Sequence, residues 1–245
     1  MARPAHRFDE IASEGIRTGF LFALPGAAVE TLLTEAIRMD VPAGSLIYRG
    51  EESPRVFVVL DGLVRVFLSS PEGRQVTVRY ARQGDVAGLA LVLGGPAPES
   101  IQAMTNASVV AFRVQTLRSL IASDPGVASA CAEELTRQLY RALGDLSEQA
   151  FWSVRQRLVR QLLDLASMRA GSKLVVAASQ QELADGVASV REVVTRSLHQ
   201  LQDDGLIEIS RDEIVLLDPD RLAEEASEPW FRAAGDPAGT RTATS

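Results

Sequence analysis

Residues 179–207 read SQQELADGVASVREVVTRSLHQLQDDGLI, and three of their side chains are suited to reading DNA bases. Arg191, Glu192 and Arg196 fall where one helical face can carry all three. An arginine fork donates two hydrogen bonds to O6 and N7 of guanine, and a glutamate accepts from N4 of cytosine. Each such pair discriminates between bases by about 1–3 kcal/mol. Glu192 and Arg196 are also four residues apart, so a surface ion pair worth roughly 0.3–0.5 kcal/mol is the competing use. The neighbouring punctuation favours the first use. Ser179 and Glu182 have the spacing of a capping box, and Ser189 and Glu192 repeat it ten residues later. Two helix starts so close predict a short helix, a tight turn at Val187-Ala188 and a second helix. Val190, Val194, Leu198 and Leu201 form the stripe expected to be buried. Arg191, Glu192, Thr195 and Arg196 then point outward from the N-terminal part of the second helix, the part that enters a major groove.

These residues need a frame. Downstream, LIEISRDEIVLL (206–217) alternates about Arg211-Asp212 and predicts a short hairpin, followed by a helical piece from Asp218 to Ala226. The hairpin suits the wing of a winged helix, although its acidic residues make it a poor phosphate clamp. Upstream, Phe151–Met168 predicts an amphipathic helix ended by Arg169-Ala-Gly171, and a domain boundary is expected near 147–152.

The first half of the chain changes period. A helix is expected over Ala27–Ala36. Strands are expected over Pro42–Gly50, Val56–Leu60, Leu63–Phe67, Val76–Tyr80, Ser100–Ala103 and Val109–Val114. Asp61-Gly62 between two β-branched runs predicts a type I′ hairpin, and Pro71–Gly73 and Gly84 mark further turns. Short strands at this spacing predict an antiparallel sandwich or barrel. A short helix over Gln115–Ala122 precedes a long one from Asp124-Pro125 to about Glu148. In the long helix Val127, Cys131, Leu135, Leu139, Ala142 and Leu146 recur every three or four residues. So narrow a stripe fits either packing on the chain's own β-domain or a homodimer seam.

Bulk properties exclude several classes. Of the 245 residues 46% are hydrophobic and 23% charged, with a net charge of −7. That balance fits a globular protein and argues against indiscriminate nucleic-acid binding. One cysteine, Cys131, excludes a disulfide framework or a four-thiolate metal centre within the chain. Two histidines, His6 and His199, make an all-protein metal site improbable. No apolar run approaches the roughly 20 residues that span a bilayer, and Met1–Glu10 lacks an apolar stretch of secretory type. The cytoplasm is therefore the expected compartment, without membrane contact. No nucleophile–base pair or phosphate-cradling loop points to an enzyme, and no cofactor is expected.

Taken together, residues 20–220 resemble the cyclic-AMP receptor/fumarate–nitrate regulator (CRP/FNR) superfamily. The motifs are PAGSLIYRGEESPRVFVVLDGLVRVF (42–67), QGDVAG (83–88), Phe151, Val154, Arg157 and LLDLA (162–166), and the 179–207 segment. The resemblance implies an α+β chain: an N-terminal antiparallel β-roll of the cyclic-nucleotide-binding type over 1–122, a dimerisation helix and hinge over 123–150, and a winged helix-turn-helix over 151–226. Residues 227–245 are expected to be a disordered tail. It also implies that Arg191, Glu192 and Arg196 match base readers of TGTGA-like half-sites. Gln180, Ser189 and His199 fall where the family touches phosphates, with Val190 and Thr195 as accessory positions. The implied partners are double-stranded DNA, a second copy through the 124–148 helix and, for an activator, RNA polymerase.

The chain departs from the family at the nucleotide pocket. The Gly-Glu pair that holds ribose reads Gly88-Leu89, and the Arg-Ser/Thr pair that holds phosphate reads Glu99-Ser100. The adenine-contacting hydroxyls fall at Ala142 and Leu143, which have none. Cyclic AMP is therefore not expected to bind, and the effector is left as an unknown apolar or anionic molecule, a protein, or none. Segment 151–225 carries nine Arg/Lys against thirteen Asp/Glu. That acidity keeps open a signalling module whose winged helix contacts protein.

Overall fold

The structure is a computed structural model that describes residues 19–50, 55–95, 98–169, 173–210 and 213–226. His6, the 227–245 tail and the Arg211-Asp212 turn lie outside the described residues. The chain forms two compact units, Met1–Ala142 and Leu143–Ser245.

The first unit is an antiparallel β-roll of two four-stranded sheets. One has the order β1 (Ile37–Val41), β8 (Ala107–Arg113), β3 (Arg55–Asp61), β6 (Val86–Ala87). The other has β2 (Leu46–Tyr48), β7 (Glu99–Ala103), β4 (Val64–Ser69), β5 (Gln75–Ala81). Helix α1 (Gly26–Thr34), a short α2 (Ala90–Gly94) and α3 (Val114–Ser123) cover the roll. Val56 to Leu60 are buried without alternation, so β3 is covered on both faces.

Strand pairing overturns the Asp61-Gly62 hairpin. β3 pairs with β8 and β6, whereas β4 pairs with β5 and β7, so the two runs enter different sheets. Asp61-Gly62 is the corner between them. Gly62 has φ +86°, and a Cβ there would stand 2.5 Å from the Asn106 carbonyl oxygen. The glycine is therefore needed for close approach of two chain segments. The hairpin instead joins β4 to β5 through the turn at Pro71–Gly73. β1 lies outside the expected strands, although Ile37 to Val41 alternate apolar and polar residues as a half-buried strand does; it is an edge strand.

Helix α4 (Pro125–Phe151) begins where Asp124 Oδ1 accepts from the amides of Gly126 and Val127, at 2.8 and 3.4 Å. Its stripe divides. Val127, Ala130 and Cys131 join the roll's core, with Leu135 packed against it. Leu139, Tyr140, Leu143 and Leu146 are exposed, Leu146 by 62%.

The second unit holds α5 (Val154–Leu165), α6 (Gln180–Gly186), α7 (Arg191–Asp203) and α8 (Pro219–Glu225). Its sheet has the order β11 (Ile207–Ile209), β12 (Ile214–Leu216), β10 (Lys173–Val176), β9 (Ser167–Arg169). The expected Phe151–Met168 helix is corrected at both ends. Phe151 closes α4, and Ser153 caps α5 in a full capping box with Gln156. Met168 lies in β9, which pairs with β10. The wing thus belongs to a four-stranded sheet rather than an isolated hairpin.

Candidate nucleic-acid interface

Ser179 and Glu182 form the expected capping box: Glu182 N donates to Ser179 Oγ at 3.2 Å, and Ser179 N donates to Glu182 Oε2 at 2.8 Å. The second box does not form. Ala188 takes φ +50°, the one non-glycine residue with positive φ among those described. The Ser189 amide then turns back to the Ala184 carbonyl at 3.0 Å. The N-cap of α7 is consequently Val190, with no side-chain cap. Val190 is 58% exposed and does not join the stripe, which consists of Val194, Leu198 and Leu201, all fully buried. These pack in a unit whose core also includes Leu158, Leu162 and Leu183.

Burial of that stripe fixes the rotation of α7. Arg191, Glu192, Arg196 and His199 are exposed on it, and Ser189 and Gln180 are half-buried beside it. Among the described residues no ion pair joins Glu192 to Arg196. Thr195 does not point freely outward as expected. It is half-buried, with Oγ1 2.8 Å from Gln180 Oε1 and 2.9 Å from the Arg191 carbonyl oxygen. The opposite end of α7 is tied by Arg155 of α5. Arg155 Nη2 lies 2.7 Å from Asp204 Oδ2 and 3.1 Å from Glu225 Oε2, and Nε donates to Glu225 Oε1. The hydrogen bond to Glu225, with that to Asp204 beside it, raises the Arg155 pKa above its ordinary value. Neither Arg155 nor its partners stood out in the sequence, because they lie 49 and 70 residues apart.

The sensor-side residues differ in burial. Gly88 has φ +78°, and a Cβ there would meet the Arg55 carbonyl oxygen at 2.6 Å, so packing alone accounts for it. Leu89 is 2% exposed and belongs to the core. Glu99 and Ser100 are half-buried on β7, and Ala142 and Leu143 are exposed on α4. What occupies the junction of β5, β6 and α4 is Arg79, which sequence reasoning missed. Its one available signal was alternation, which sets Arg79 on the same face of β5 as the buried Ala81. Arg79 Nη2 and Gln138 Nε2 both donate to the Val86 carbonyl oxygen, and Gln138 Nε2 also donates to the buried Glu134 at 2.8 Å. Burial lowers the Arg79 pKa, against the opposing charges of Asp85, Glu99 and Glu134.

Cys131 is 2% exposed, and burial pushes its thiol up to about 11. Among the described residues no cluster of His, Cys, Asp or Glu is arranged to hold a metal, and no helix is long and apolar enough to cross a membrane.

Two family models match the chain. That of the cyclic nucleotide-binding domain covers residues 38–124, and that of the Crp-like helix-turn-helix domain covers 156–225. The transcriptional regulator LdrP of Thermus thermophilus is 32% identical over 186 residues, 74% of this chain and 92% of its own. The chain belongs to the CRP/FNR family. It is a DNA-binding transcription regulator with that family's α+β architecture. This CRP/FNR member is also 28% identical over 225 residues to a CRP-like cAMP-activated global transcriptional regulator of Mycobacterium tuberculosis, 89% of this chain and 99% of the relative. Among solved structures, a CRP/FNR-family transcriptional regulator from Thermus thermophilus superposes with a TM-score of 0.67 at 29% identity, over 78% of this chain and 98% of that one.

Proposed function

We propose that this regulator binds, as a homodimer, an inverted repeat with TGTGA-like half-sites, and that cyclic AMP does not control it. The carrying observation is that Arg191, Glu192 and Arg196 stand exposed on the first half of α7 while Val194, Leu198 and Leu201 are buried on its opposite side. In this reading the arginines donate to guanine, and Glu192 accepts from cytosine. Gln180, Ser189 and His199 lie toward the phosphates, with Val190 beside them. Two copies meet through the exposed Leu139, Leu143 and Leu146 of α4, which sets two α7 helices on one repeat. An activating output would add RNA polymerase as a partner.

The residues at the family's nucleotide position do not fit a cyclic nucleotide. Leu89 offers no acceptor to ribose, and Glu99 presents a carboxylate where a phosphate would sit. Arg79, whose charge Glu99 opposes, already donates to Val86 beside Gln138 of α4. This supports a sensor whose roll and long helix are joined by its own side chains. The net acidity of 151–225 favours one other reading, a protein-contacting module. The test is selection of bound sites from random DNA by the purified chain without ligand. Enrichment of an inverted repeat bears out the reading, and binding without sequence preference defeats it.

A further inference from the structure

Helix α7 ends on two carboxylates, Asp203 and Asp204. Acidic groups are unfavourable there, because the last carbonyls already give a helix C-terminus partial negative charge. Asp204 is the C-cap, and its carboxylate is held by Arg155, whose guanidinium also engages Glu225 at the end of α8. One planar fork therefore ties the start of α5, the end of α7 and the end of α8.

We propose that Arg155 is a positioning residue for DNA recognition: through Asp204 it fixes the angle at which α7 presents Arg191, Glu192 and Arg196. The proposal rests on α7 being the recognition helix. It follows from leverage. The 13 residues of α7 span about 18 Å at 1.5 Å per residue. A pivot of about 10° at Asp204 moves the far end by about 3 Å, several times the roughly 0.5 Å to which a recognition constellation must be held. The buried stripe of Val194, Leu198 and Leu201 seats α7 on the core over the stripe's own length. The Arg155 contact adds a restraint beyond Leu201, at the end of the helix, where the lever arm to Arg191, Glu192 and Arg196 is longest. Arg155 touches no base in this scheme, so its loss weakens every site and leaves the preferred sequence unchanged.

The test uses the full chain and the DNA sequence that the wild type selects. Arg155→Ala is expected to raise Kd about tenfold or more with the salt slope and base preference retained. Asp204→Asn carries the decisive sign. It removes a negative charge, so simple electrostatics predicts tighter binding to DNA, whereas the clamp predicts weaker binding. Arg155→Lys recovers only part of the loss, because an ammonium cannot span both carboxylates as a fork does. Amide exchange without DNA provides an independent readout: Arg155→Ala and Asp204→Asn accelerate exchange over residues 198–204. Kd within twofold of wild type in Arg155→Ala, or tighter binding by Asp204→Asn, overturns the proposal. A wild type that selects no sequence instead defeats the recognition reading, and unchanged exchange over 198–204 in both variants would then overturn the clamp as well.

Discussion

Thr195 Oγ1 lies 2.8 Å from Gln180 Oε1, so the first residue of α6 is held by a side chain on the second turn of α7. The contact joins the two helices beside the exposed Arg191 and Arg196. It leaves the Gln180 amide fixed in direction rather than free to rotate. Replacing Thr195 by Val keeps the shape and removes the hydroxyl. Affinity for the selected DNA should fall by about 0.5–1.5 kcal/mol, the scale of one neutral hydrogen bond, with base preference unchanged. Anisotropy titrations of Thr195→Val and Gln180→Ala, singly and together, check this. Additive losses would show that the two side chains act separately.

The apolar stripe of α4 is divided. Its first half joins the roll's core and Leu139, Leu143 and Leu146 stay exposed, the residues assigned above to the proposed dimer seam. Leu146→Glu should convert the protein from dimer to monomer in sedimentation at micromolar concentration, with the roll's thermal unfolding unchanged. A dimer that persists in this variant would place the interface elsewhere.

Cys131 sits on the buried half of that stripe, with its thiol pushed up to about 11. At pH 8 almost none of it is thiolate, the reactive species. Native protein should therefore leave a thiol-reactive dye unconsumed until denaturant is added. Rapid stoichiometric labelling of the folded protein would instead support a redox role.

The nucleotide position gives a further direct test. Calorimetry with cyclic AMP should show no binding at micromolar concentrations, and DNA affinity should be the same with and without the nucleotide. Arg79→Ala should lower effector-free DNA affinity, because it removes one of the two side chains joined at the Val86 carbonyl. A micromolar Kd for cyclic AMP would reverse this part of the account.

Much of the architecture is legible in the sequence because it depends on local chemistry. Ser179 and Glu182 cap α6 as their spacing requires, and Val194, Leu198 and Leu201 are buried as their period requires. Where nonlocal contacts decide, local signals mislead. Asp61-Gly62 has hairpin chemistry, but the close approach of Asn106 makes it a corner between sheets. Ser189 and Glu192 have capping-box spacing, but the left-handed Ala188 turns the Ser189 amide back to Ala184 and passes the N-cap to Val190. The roles of Arg79 and Arg155 escape the sequence for the same reason: each acquires its role from partners that only the fold brings near.

The most direct measurement is a random-DNA selection run in parallel on effector-free wild type and on Arg196→Ala. The wild type should enrich a TGTGA-like inverted repeat. The variant should lose preference at one base pair in each half-site, at a cost of about 1–3 kcal/mol on the cognate sequence. Identical base preferences for the two proteins, or no enrichment by the wild type, would contradict this.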